Sequence, residues 1–113
     1  MRIVPAEDRS IDLPFEEWGV AKGLELVASE RAWARSDSDD RWYVHFVDIA
    51  TGGVASVDVG GGILGMFGNA STPEAAAVKY EESLHSKLLV VNPFDPDKKR
   101  EIPCPKSWTR VKP

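Results

Sequence analysis

The residues able to do chemistry are few, and their spacing leaves most of them without a partner. His45 and His85 are the only two histidines in the 113-residue chain. Asp48 stands three positions after His45 in an apolar run, and in an extended strand those two side chains point to opposite faces. They do not make an acid–base pair. His85 falls at the end of a helix-forming stretch, where positive charge suits the helix dipole. No His-x-x-x-His pair sets two ligands on one helix face. Gly60-Gly61-Gly62 lacks the Gly-Lys-Ser/Thr ending of a phosphate loop and fits a bulge or a hairpin loop. Ser71 has no Gly-x-Ser-x-Gly elbow around it, and helix capping accounts for it. Asp37, Asp39 and Asp40 lack the glycine and distal glutamate of a calcium loop and read as a solvated turn. Cys104 is the sole cysteine, which excludes an internal disulfide and a cysteine zinc cluster. Set between Pro103 and Pro105, it reads as a partly buried structural thiol. The expectation is a protein without catalytic residues, cofactor or metal, and so not an enzyme.

Binding chemistry is better represented. Trp33 lies between Arg31 and Arg35, and Arg41 precedes Trp42 and Tyr43. Aromatic stacking beside cationic contacts is how sheet surfaces hold single-stranded nucleic acid. Acidic residues interrupt this stretch, however, and the chain carries 18 acidic against 14 basic residues for a net charge of −4. That sign opposes general nucleic-acid binding. The same segment suits a protein partner: Asp37, Asp39 and Asp40 would steer encounter while Trp33 and Trp42 anchor it. Single-stranded nucleic acid remains the other use of this edge, and a homodimer is open.

The elements that position these residues follow from pattern. A hydrophobic share of 42% in 113 residues supports a single domain with one core. Residues 1–12 read as an extended leader and 103–113 as a C-terminal tail carrying Trp108. Asp12, Pro14, Glu16 and Glu17 mark the start of a short helix that Gly23 ends, with Phe15 and Trp18 on its apolar face. Leu24 onward is a strand. Residues 41–49 are the strongest strand, rich in aromatic and β-branched side chains. Val54–Val59 and Ile63–Phe67 flank the glycines as two short strands or one bulged strand. Residues 72–86 form the main helix, with Ala76, Tyr80 and Leu84 as its core stripe. Its start is marked by Ser71 or Thr72 as the cap, by Pro73 in the first turn and by Glu74 at capping-box spacing from Ser71. Leu88–Val91 is a compact strand, and Lys98–Ile102 returns antiparallel to it. The fold class expected is α+β: an antiparallel sheet of four to five strands, one main helix packed on one face, and a short N-terminal helix. No apolar run reaches membrane-spanning length and no signal-peptide pattern stands at the start, so a cytoplasmic protein is expected.

The junction Gly68-Asn69-Ala70-Ser71-Thr72-Pro73-Glu74-Ala75-Ala76 resembles the core of HicB-type antitoxins, which carry Thr-Pro-Glu-Glu-Ala at a strand-to-helix junction. The matching residues are Gly68, Thr72, Pro73, Glu74 and Ala76, with Ala75 in place of the second glutamate. Gly60 to Gly65 stands where the family carries a proline-glycine-cysteine segment. Residues 42–91 also resemble small phage and prophage proteins of unassigned role. The resemblance implies a mobile-element protein that binds another protein. Two partners are implied: a host defence complex, inhibited in the manner of an anti-CRISPR, or an RNase toxin, neutralised by covering its active site.

Overall fold

The computed structural model describes residues 2–4, 7–8, 14–31, 33–35, 37–60 and 62–106. The expected Asp12 cap and Trp108 lie outside them. The elements in chain order are β1 (Arg2–Val4), β2 (Glu7–Asp8), α1 (Pro14–Ala21), β3 (Leu24–Glu30), β4 (Trp42–Asp48), β5 (Ser56–Asp58), β6 (Ile63–Gly65), β7 (Gly68–Ala70), α2 (Pro73–Leu84), β8 (Leu88–Val91) and β9 (Arg100–Pro103). This is the expected α+β class, with the main helix α2 and the short N-terminal helix α1. The strands divide between a five-stranded sheet of order β2-β1-β3-β4-β7 and a four-stranded sheet of order β6-β5-β8-β9. Of the expected leader, residues 2–4 and 7–8 are strands that join the sheet: β1 runs parallel to β3, with Ile3 opposite Ala28. Every other pairing is antiparallel.

The two sheets part at β4. The first half of β4 pairs with β7, Val44 opposite Gly68 being the last pair. The second half bridges Val54 through Val47, and the Ala55 N–H donates to the Phe46 carbonyl at 3.0 Å. In a strand, the N–H and C=O of one residue point the same way. The Phe46 N–H therefore opens into the gap between the departing β7 and the arriving Ala55. Tyr80 of α2 fills that gap: the Phe46 N–H donates to the Tyr80 hydroxyl at 3.0 Å, with both residues buried. A buried backbone donor needs such a partner, and here a helix side chain supplies what a neighbouring strand would otherwise give.

The core lies between the sheets and the helices. Ala76, Tyr80 and Leu84 are buried in one cluster with Val44, Phe46, Leu89 and Val91, which is the expected face of α2 on the expected strands. Phe15 of α1 meets Phe46 and Tyr80 edge to face. Gly68 permits the closest approach: a Cβ there would collide with the Ala76 carbonyl and the Tyr80 backbone. The glycine opening the β7–α2 junction is thus a packing requirement.

The helix begins at Thr72, whose hydroxyl accepts the Ala75 N–H at 3.2 Å. Thr72 rather than Ser71 is the N-cap, because the chain stays paired through Ala70 and turns only after Ser71. Glu74 consequently sits in the first turn, not three residues beyond the cap, so the Ser71–Glu74 capping box is replaced by the Thr72 cap. The glycine run resolves into a hairpin: Val59 N–H donates to the Gly62 carbonyl at 3.0 Å, and Gly60 takes φ +88°, which favours glycine. Cys104 is buried, and its N–H donates to the Lys87 carbonyl, tying the start of the tail to β8. Burial pushes its thiol pKa up to about 12, so it is the structural thiol expected.

Candidate protein-binding surface

Between β3 and β4, Arg31 and Arg41 bond to described residues on both sides of the loop. The Arg31 N–H donates to the Arg41 carbonyl at 2.8 Å and closes the loop base. Arg31 Nη1 reaches the Asp40 carbonyl at 2.9 Å and Asn69 Oδ1 at 2.6 Å, and its guanidinium lies 4.4 Å from the Tyr43 ring centroid. Arg41 forms an ion pair with Glu30 at 2.8 Å and donates to the Ala34 carbonyl. Ser38 accepts the Asp40 N–H at 3.1 Å. From this frame Trp33 projects with 79% of its surface exposed. Asp37, Asp39 and Asp40 are exposed on the same loop, with Asp37 3.5 Å from exposed Arg35.

Trp42 does not join that surface. It is half-buried against the core, because strand alternation puts it on the face of Val44 and Phe46. The expected partner-binding set therefore separates into Trp33 with the three aspartates on the loop, and Trp42 inside. The period-two pattern of residues 42–48 carried the signal for this. The arginines also differ from expectation: Arg31 and Arg41 are engaged within the loop rather than flanking an exposed stack.

His45 is on the opposite face of β4, as alternation requires. It stacks on Tyr43 at 5.9 Å between centroids, and Phe67 stands edge-on to both. Burial lowers its pKa, partly offset by the Nδ1 donation to the Phe46 carbonyl at 3.3 Å. It is a neutral, packed histidine.

Asp48, weighed in the sequence only as a partner for His45, is a polar hub. Its oxygens accept from Asn92 Nδ2 at 2.8 Å, Thr51 Oγ1 at 3.0 Å, Arg100 Nη2 at 3.1 Å and the Ala50 N–H at 3.2 Å. The Asn92 amide, followed by Thr51, Ala50 and Arg100, holds the carboxyl below its usual range against the burial that would raise it. The hub ties the end of β4 to the ends of β8 and β9. The only sequence signal was Asn92-Pro93, a turn whose asparagine takes φ 54°. A cleft of about 550 Å3 opens beside it, lined by Gly23, Ile49, Ala50 and Lys98–Arg100 among others. A carboxylate saturated with donors and shifted down is not poised for proton transfer near neutral pH. Glu82 and His85 stand at the Glu-x-x-His spacing of a helical metal pair, but no group of three ligands occurs among the described residues. Nor is any helix among them long and apolar enough to cross a membrane.

The β6 edge is a second exposed apolar feature, a cluster where Phe94 and Ile49 are exposed singly. Ile63 and Leu64 are 41% and 56% exposed, and Val59 and Phe67 beside them are also partly open. The sequence places an uncharged run from Gly60 to Gly68 here, but its edge position is a property of the topology.

Comparison of the chain with protein-family models, curated proteins and solved structures finds no match.

Proposed function

We propose that this chain is a non-enzymatic protein-binding module that grips its partner through the Trp33 loop. The observation that carries the reading is a tryptophan left 79% exposed on a loop whose backbone is pinned by Arg31 and Arg41. An exposed large aromatic held near hydrogen-bonded backbone loses less conformational entropy on binding, and tryptophan is among the residue types enriched in interface anchors. Asp37, Asp39 and Asp40 form the charged rim, which accelerates encounter with a basic surface. Two of the three arginines that would serve a nucleic-acid stack are spent on the loop itself, which favours a protein partner.

The partner class rests on the resemblance read from the sequence of residues 42–91 alone. The role is an inhibitor, encoded by a phage or prophage, of a bacterial defence or host complex. The HicB-like reading, neutralisation of an RNase toxin, uses the same surface on a different partner. The test is capture from a bacterial lysate with the full chain as bait, followed by binding kinetics on the captured partner. Trp33→Ala should weaken binding by ~30-fold or more, the effect of losing an anchor of about 2 kcal/mol. Reversal of Asp37, Asp39 and Asp40 to lysine should slow association and reduce its salt sensitivity. If both variants bind like wild type, this loop has no role. An RNase as the captured protein would select the antitoxin reading over the defence inhibitor.

A further inference from the structure

The β6 edge points to a second copy of this chain. Val59 and Gly62 close the β5–β6 hairpin as a hydrogen-bonded pair. Antiparallel pairs alternate, so Val57 and Leu64 are the next bonded pair and Ile63 and Gly65 turn their N–H and C=O groups outward. Neither outward-facing residue bonds to another described residue. Leu64 occupies the outermost place in a cross-strand row that runs Ile102, Leu89, Val57, Leu64. The first three are buried, Ile102 even though β9 is the opposite edge strand, whereas Leu64 is 56% exposed.

The other edge strands are blunted. β9 carries Arg100, Glu101 and Pro103, β2 is Glu7–Asp8, and β7, Gly-Asn-Ala without charge or proline, is packed closely by α2, whereas β6 is Ile-Leu-Gly with no charge and no proline. Charge, proline and cover by a helix are how sheets prevent edge pairing, and β6 carries no charge and no proline along an exposed strand.

We propose that two copies of the chain join β6 to β6 antiparallel about a two-fold axis through Leu64. The edge is self-complementary in that register. Ile63 of one copy faces Gly65 of the other, and both exchange N–H···O bonds, giving four by symmetry. Leu64 meets its own counterpart as a non-bonded pair, where side chains approach most closely, and the apolar row continues across the axis. A chain of net charge −4 meets its copy there without facing like charges on the paired strands. Three-residue strands put the contact at the small end of specific interfaces, below about 1,200 Å2 in total. The dimer is therefore a reversible one that displays two Trp33 loops. This inference stands independently of what those loops bind.

Sedimentation equilibrium of the full chain over a concentration series tests it. The wild type should show a monomer–dimer equilibrium. Leu64→Lys sets like charges opposite each other at the axis and should raise the dissociation constant by at least ~10-fold, with an unchanged melting temperature. Leu64→Cys under mild oxidation should trap a single crosslinked dimer, while the wild type, whose only thiol is buried Cys104, should not crosslink. If Leu64→Lys lowers the melting temperature, the cysteine trap decides. A chain that stays monomeric throughout, or a dimer that neither variant affects, overturns the proposal. So does exchange protection of the Ile63 and Gly65 amides that arises only on adding a different protein.

Discussion

Tyr80→Phe isolates the bond that closes the parting of the sheets. The substitution keeps the ring, its edge-to-face contacts with Phe46 and Phe15, and nearly all of its buried area. It removes only the hydroxyl that accepts the Phe46 N–H at 3.0 Å. Neither Ala55 nor Gly68 supplies an acceptor in its place: Ala55 bonds to Phe46 through its N–H alone, and β7 has left β4 after Val44. The space of one lost oxygen, with the ring retained, is too small and too apolar to hold a water. The expected cost is that of a buried, unsatisfied N–H, ~1–3 kcal/mol. At roughly 4 °C per kcal/mol for a domain of this size, the melting temperature should fall by ~4–12 °C. Urea unfolding followed by tryptophan fluorescence, alongside calorimetry, gives both quantities. Tyr43→Phe is the control, since Tyr43 lies half-buried on the outer face, and it should stay within ~0.5 kcal/mol of wild type. A Tyr80→Phe loss below ~0.5 kcal/mol would refute the argument that this hydroxyl substitutes for a missing strand.

Other consequences are as direct. Gly68→Ala should destabilise by several kcal/mol or abolish folding, because the added methyl has only the Ala76 carbonyl and the Tyr80 backbone to displace; yield and circular dichroism report it. Thr72→Ala should cost about 1 kcal/mol through loss of the N-cap and Ser71→Ala clearly less, with denaturant midpoints separating them. Leu84→Ala should cost ~2–5 kcal/mol, as for truncation of a buried leucine, measured in the same way. The pH dependence has two windows. His45 is held neutral in the fold, so below its unfolded pKa of about 6.5 the unfolded chain takes up the proton first. Stability should then fall as pH drops from there through the lowered folded value, and His45→Leu should flatten that slope. Asp48 contributes stability above its unfolded pKa of about 3.9, lost as pH falls through its depressed folded value, and Asn92→Ala should shrink that contribution.

The elements with strong local signals could be read directly from residue order. Strand β4 was legible because its aromatic and β-branched residues fit a pleated, half-buried surface. Helix α2 was legible because Ala76, Tyr80 and Leu84 repeat at helical spacing behind Thr72 and Pro73, and all three are buried. Cys104 between two prolines and the exposed acidic loop were also readable from residue type alone. Whatever depended on pairing between distant segments became visible only in the fold. No local pattern tells which half of β4 pairs with β7 and which with Val54, so the need for the Tyr80 hydroxyl at Phe46 was invisible. Asp48, Asn92 and Arg100 are separated by 44 and 52 positions along the chain, and only the fold brings them within hydrogen-bonding distance. Trp42 and Trp33 look alike in sequence, yet one is half-buried and the other open, because one lies in the inward register of a strand and the other on a loop. β6 looks like any short apolar strand until strand order leaves it at an edge. Local propensity fixes which segments are regular; hydrogen-bond register and burial, which are set between segments, fix what those segments expose.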